Sequence, residues 1–147
     1  MAVYNNFADL MAAAAAAAKE TLQNEVATEV KEEIRKQEYN YIYDASSPSW
    51  YSRRKSLGKT FKVETDGDDS ARIWDAARPS PSVFNTPVKG PDGVFAQWIN
   101  DGNVPNVFDD KDYPWMHPRK FYDAAVKELS KSSKIKNAAK SGMEARL

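Results

Sequence analysis

Catalysis needs a nucleophile with its base, a paired acid and base, or a bound metal. The sequence supplies few of these parts, with one histidine and no cysteine. His117 stands between Met116 and Pro118 at the start of a predicted helix, where capping or packing accounts for an imidazole better than proton transfer does. Two acidic clusters, Asp66 with Asp68 and Asp69, and Asp109 with Asp110 and Asp112, offer oxygen ligands of the kind calcium takes. Neither continues to the bidentate glutamate of an EF-hand loop, so turn formation explains the first and solvation the second. The glycines are scattered at Gly58, Gly67, Gly90, Gly93, Gly102 and Gly142, which leaves no phosphate loop of the Walker or dinucleotide kind. The expectation is a protein that is not an enzyme, with no catalytic, cofactor-binding or metal-ligating residues and no cofactor. A small enzyme working through a carboxylate pair is one rival.

The chemistry that is well supplied is contact chemistry. Trp50 and Tyr51 stand beside Arg53, Arg54 and Lys55; aromatics bury large areas at interfaces, and arginine forks hold carboxylates or phosphates. Phe84, Trp98, Trp115 and Arg119 complete the set of candidate interface residues. The formal net charge is zero, but the segments alternate in sign: residues 1–44 sum to −4, 45–63 to +5, 64–112 to −6 and 113–147 to +5. Such blocks can set register between neighbouring copies, or can be solvated faces that cancel. The basic loop and the lysines from Arg119 to Arg146 also raise a second rival, a DNA-binding packaging or regulatory factor. Net neutrality speaks against a dedicated DNA binder.

These residues need elements to position them. A chain of 147 residues suits one domain, and without cysteine no disulfide or thiolate site can staple it. Asn5 and Asn6 are N-cap candidates, and no glycine or proline follows until Pro48, which predicts a helix from about Phe7 to about Tyr39. Phe7, Leu10, Ala14, Ala18, Leu22, Val26, Val30 and Ile34 form its apolar stripe, opposite Glu25, Lys31, Glu32 and Lys36. A helix of about 33 residues is about 50 Å long, more than a small core can cover, so part of it should project or pack on another chain. The alanines from Ala12 to Ala18 raise helix propensity and let another backbone come close.

Ser46, Ser47, Pro48 and Ser49 break the helix into a loop. Phe61, Val63 and Thr65, a turn at Asp66–Asp69, then Ala71, Ile73 and Asp75 predict a β-hairpin. The prolines between Arg78 and Pro91 predict a long irregular connection with a short edge strand near Val83 and Phe84. Val94, Phe95, Trp98 and Ile99 predict a short helix closed by Gly102. Pro118 can open a last helix whose buried stripe is Phe121, Ala125, Val126 and Leu129, ending near Ser132. The expected fold class is α+β: a long N-terminal and a C-terminal helix on a small antiparallel sheet, with long irregular loops. The single domain is expected over 1–133, followed by a basic tail over 134–147 that is either a helical extension or a disordered arm. The longest apolar run, Leu10 to Ala18, is far short of the ~20 residues of a membrane span. The first lysine, Lys19, follows that run, unlike the order in a secretory signal, so a cytoplasmic site of synthesis is expected.

Read in order, "YIYDASSPSWYSRRKSLG" at 41–58, "FAQWINDGN" at 95–103 and "YPWMHPRKFYDAAVKEL" at 113–129 resemble the neck and tail-completion proteins of tailed bacteriophages. Pro48, Tyr51, Arg53 and Arg54 fit that family's Tyr-x-Pro-x-x-Tyr-x-Arg-Arg-like segment, and the resemblance extends from Phe7 to Leu129. Trp115, Met116 and His117 ahead of Pro118, and the lysine-rich tail, depart from it. The resemblance implies a virion subunit in a homo-oligomeric ring, commonly six-fold, that joins the capsid connector to the tail. Its partners would be further copies and the neighbouring connector and tail proteins, with genome DNA passing unbound through the lumen and no membrane involved. A tail terminator or head-closure ring is the near alternative.

Overall fold

The computed structural model describes residues 6–44, 57–78, 91–102 and 118–147. Asn6 caps the first helix, its Oδ1 accepting from the Asp9 N–H at 2.9 Å, which satisfies one of the free N–H groups of the first turn. Helix α1 spans Phe7–Thr21. A π-helical turn over Leu22–Val26 joins it to α2, Ala27–Glu38, and a second π turn over Tyr39–Tyr43 ends the run. One almost continuous helix thus occupies the predicted stretch. At the first π turn the Ala27 N–H reaches the Leu22 carbonyl five residues back, while Thr28 Oγ1 donates to the Asn24 carbonyl at 2.8 Å. One residue is accommodated without a bond to the usual partner, and the buried face turns about the axis at that point.

The hairpin pairs β1 (Phe61–Asp66) with β2 (Ser70–Asp75) antiparallel, with Phe61 opposite Asp75 and Asp66 opposite Ser70. The expected alternation is present, with Phe61, Val63 and Thr65 shielded and Lys62, Glu64 and Asp66 in water. A lone hairpin is marginal in water; here it gains a covered face by packing on the long helix, and the Arg35 guanidinium lies over the Phe61 ring at 5.5 Å. Helix α3 (Val94–Asp101) ends at Gly102, whose φ of 72° is the left-handed cap that favours glycine. Helix α4 spans Phe121–Lys131 and stops at Ser132, and α5 spans Lys134–Arg146. The molecule is α+β, as the sequence pattern predicts.

The core gathers Ile34, Leu57, Ala96, Ile99, Phe121 and Ala125, with Phe121 fully buried at its centre. Two expectations for α4 are corrected. Val126 is 67% exposed, because Phe121 and Ala125 set the buried face and residue 126 lies about 100° round the helix from it. The helix does not open at Pro118: Lys120 intervenes with φ 48°, and Phe121 is the first helical residue. The stripe of the long helix is followed from Ala14 to Ile34 but not at its start, where Phe7 and Leu10 face solvent. Glu25, expected on the wet face, is half-buried and bound by Arg146.

Residues 134–146, set apart in sequence as the tail, form α5, which runs antiparallel along α1. Lys134 approaches Glu33 at 3.7 Å, and Arg146 bonds Glu20 and Glu25 at 3.0 Å each. Close approach depends on Gly142, where a Cβ would fall 2.5 Å from Thr21 Cγ2. Among the described residues, no helix is long and apolar enough to cross a membrane.

Candidate assembly surface and a buried carboxyl cluster

Of the predicted contact residues, Trp50, Tyr51, Arg53, Arg54, Lys55, Phe84 and Trp115 lie outside the described residues, as do His117 and the Asp109–Asp112 cluster. Trp98 and Arg119 are brought close to each other at the junction of α3 and α4. The Arg119 N–H reaches the Ile99 and Asn100 carbonyls at 3.2 and 3.1 Å, and Trp98 packs half-buried against the margin of the core. Asn100, which the sequence did not single out, organises this junction. Its carbonyl also accepts from the Lys120 N–H at 3.1 Å, and its side-chain Oδ1 accepts from the Tyr122 N–H at 3.0 Å. A side chain from α3 therefore caps α4. The Asp66–Asp69 cluster forms the hairpin turn, with Ser70 Oγ donating to the Asp66 carbonyl at 2.5 Å.

Among the described residues, large apolar side chains are exposed at both ends of the long helix. At the start of α1, Phe7 is 75%, Met11 53% and Leu10 40% exposed. Helix α5 covers α1 around Ala17 and Thr21, both buried, and the first turns extend past that cover. At the far end of the same long helix, Tyr39 and Tyr41 are exposed as well. Two separated apolar patches thus lie on one elongated element.

A second feature is internal. Glu38 and Asp75 are both fully buried, at 1% and 0% exposure. Asp75 Oδ2 accepts from the Gly58 N–H at 2.5 Å and Oδ1 from the Ala77 N–H at 2.7 Å. Gly58, with φ 79°, passes so near the helix that a Cβ there would meet Glu38 Oε2 at 2.9 Å. Its carbonyl accepts from Arg35 Nε at 2.7 Å, and the Asp75 N–H donates to the Tyr122 hydroxyl at 3.1 Å. Loss of water, reinforced by the Asp75 carboxylate, pushes Glu38 up to about 9. Burial also pushes the Tyr122 phenol up, so it stays a neutral hydroxyl. Both acids were legible in principle: Glu38 continues the stripe Val26, Val30, Ile34 by four residues, and Asp75 holds an inward position of β2.

Surface ion pairs complete the electrostatics. Asp92 is bound by Lys62 and by Arg78, the latter at 3.0 Å, which ties the segment before α3 to the hairpin and holds its carboxyl below the usual range.

The long helix, the hairpin and the two closing helices are covered together by one family match. The chain belongs to the YomN family, which it matches over residues 6–145, from the cap of α1 to the last turn of α5. That family is phage-associated. No curated protein matches the chain, and no solved structure does.

Proposed function

We propose that this protein is a non-catalytic virion subunit that forms a ring, six copies in the simplest case, at the neck or head-tail junction of a tailed phage, joining the capsid connector to the tail. The observation that carries this reading is the apolar start of α1, where Phe7, Leu10 and Met11 are exposed beyond the cover of α5. A second copy burying that surface removes the cost of wetting it, and a heterologous contact of this kind closes into a ring when its rotation closes. The phage-associated family and the order of the three resembling segments supply the context. Partners are then further copies of the chain and the connector and tail proteins above and below, with no cofactor and no membrane. A position as tail terminator or head-closure ring uses the same contacts.

The test is genetic. In a phage lacking this gene, the reading expects filled heads and separate tails in the lysate, restored to joined particles by the intact gene. Normal joined and infectious particles without the protein would overturn it. The reading from another class, a DNA-binding packaging factor, draws on exposed Lys127, Lys131, Lys136 and Lys140 along α4 and α5. It expects salt-dependent binding of duplex DNA by the purified protein.

A further inference from the structure

The cluster at Glu38 and Asp75 carries an inference independent of the ring. The two oxygens of Asp75 each accept a backbone N–H, from Gly58 and from Ala77. An acceptor of two amide protons is the ionised member of a carboxyl pair. Neither oxygen of Glu38 meets a donor among the described residues, and both are shut off from water. Among the described residues, the groups that face it are the Asp75 carboxylate on β2, the neutral Tyr122 hydroxyl on α4 and Arg35 on its own helix. Arg35 spends its Nε on the Gly58 carbonyl. Among the described residues an ionised Glu38 would thus be a second anion beside Asp75, without water and without a donor, an arrangement that costs far more than binding a proton.

We propose that Glu38 is a buried proton-binding site: it folds as the neutral acid, donates its proton to the Asp75 carboxylate, and latches the long helix to the hairpin and to Leu57–Gly58. In the unfolded chain the same glutamate is ionised at neutral pH. Folding therefore takes up a proton. The upward shift of Glu38 to about 9 agrees with this placement. The sign follows from linkage: between the ordinary glutamate range and about pH 9 the folded state binds one proton more than the unfolded state, so stability falls as pH rises. The latch is strongest in mild acid and weakens toward alkaline conditions, opposite in sense to an acid-labile salt bridge.

The test uses the full-length protein with 13C-labelled glutamate side chains. NMR at neutral pH should show one carboxyl carbon with the shift of the protonated acid, titrating only near about pH 9 and absent in Glu38→Gln. In parallel, the unfolding equilibrium of the wild type should change by up to about tenfold per pH unit from about pH 6 to about pH 8 in excess of the change in Glu38→Gln, whose amide can donate to Asp75 without a proton. If every glutamate carboxyl titrates in the ordinary range, Glu38 is ionised in the fold and the inference is overturned. Should the glutamine variant not fold, the wild-type NMR titration decides alone.

Discussion

At the scale of single residues, the fold is governed by a few groups whose surroundings conflict with their usual preferences. Phe121 does not conflict: it is fully buried at the meeting of α2, α3 and α4, and Phe121→Ala should cost about 3–5 kcal/mol in a urea titration through lost burial and a cavity. Lys120 does conflict, because it holds a left-handed φ of 48° that a Cβ disfavours by about 1 kcal/mol. Its backbone N–H bonds Asn100, while its ammonium pairs with Asp101 and Asp123 only on the surface. Lys120→Gly keeps the first interaction and loses only the second, so it should raise the urea midpoint or leave it unchanged; a clear fall would show that the surface pairs outweigh the strain.

The carboxylates divide by sign. Hydrogen bonds from Arg146 to Glu25, from Lys62 and Arg78 to Asp92, and from Gln97 and Asn100 to Asp101 hold these three below their ordinary range. A depressed carboxylate contributes stability that is present above its unfolded pKa and is lost as pH falls through the folded one. Glu38 acts in the opposite direction. Thermal midpoints measured against pH should therefore peak in mild acid, near about pH 5, and decline on both sides. Glu38→Gln should flatten the alkaline side alone.

At the scale of elements, most of the pattern could be read in advance. The Asn6 cap, the alternation from Phe61 to Asp75, and Gly102 after an apolar turn are local signals, and each element stands where its signal lies. What could not be read depends on contacts between elements. The long helix passes through the π turn at Leu22–Val26, with Thr21 facing Gly142 of α5 before it and Ile34 facing the core after it, and no local propensity announces that turn. Asn100 reads as part of a glycine-closed turn, yet its side chain caps another helix. Glu38 and Asp75 occupied apolar positions of their patterns, a conflict that was visible but became meaningful only once the two were seen together. Arg119 bonds through its backbone to the Ile99 and Asn100 carbonyls, and the Trp98 ring packs against the core.

Helix α5 gives the test at this scale. Replacing Gly142 by alanine favours helix by about 1 kcal/mol, but the new methyl would collide with Thr21 Cγ2 and Glu25 Oε2, at 2.5 and 2.8 Å. Overpacking of that kind costs about 1–3 kcal/mol. The collision should win, and amide exchange over 134–146 should quicken in Gly142→Ala. Adding Thr21→Ala removes the nearest atoms and should restore part of the protection. Unchanged exchange in the single variant would show that α5 is not held by this contact.

At the scale of the whole molecule, a helix on the order of 55 Å long is supported along most of its length by a small core and by α5, but not at its start. Phe7, Leu10 and Met11 are exposed there, and Tyr39 and Tyr41 at the other end, where no described element covers them. In the proposed ring, the alternating charge blocks would give neighbouring copies a means of choosing register once that apolar contact forms. In the proposed ring, polar replacement at the helix start should weaken assembly and spare the fold. Phe7→Ser with Leu10→Ser should leave the urea midpoint within about 0.5 kcal/mol of wild type, as expected for exposed positions.

The native mass of the full-length protein across a concentration series tests this most directly. The proposed ring predicts a discrete multiple of 16.5 kDa, six copies in the simplest case, that falls to 16.5 kDa in the Phe7→Ser/Leu10→Ser variant. A wild-type protein that stays at 16.5 kDa at every concentration, with its first helix exposed as before, would contradict it.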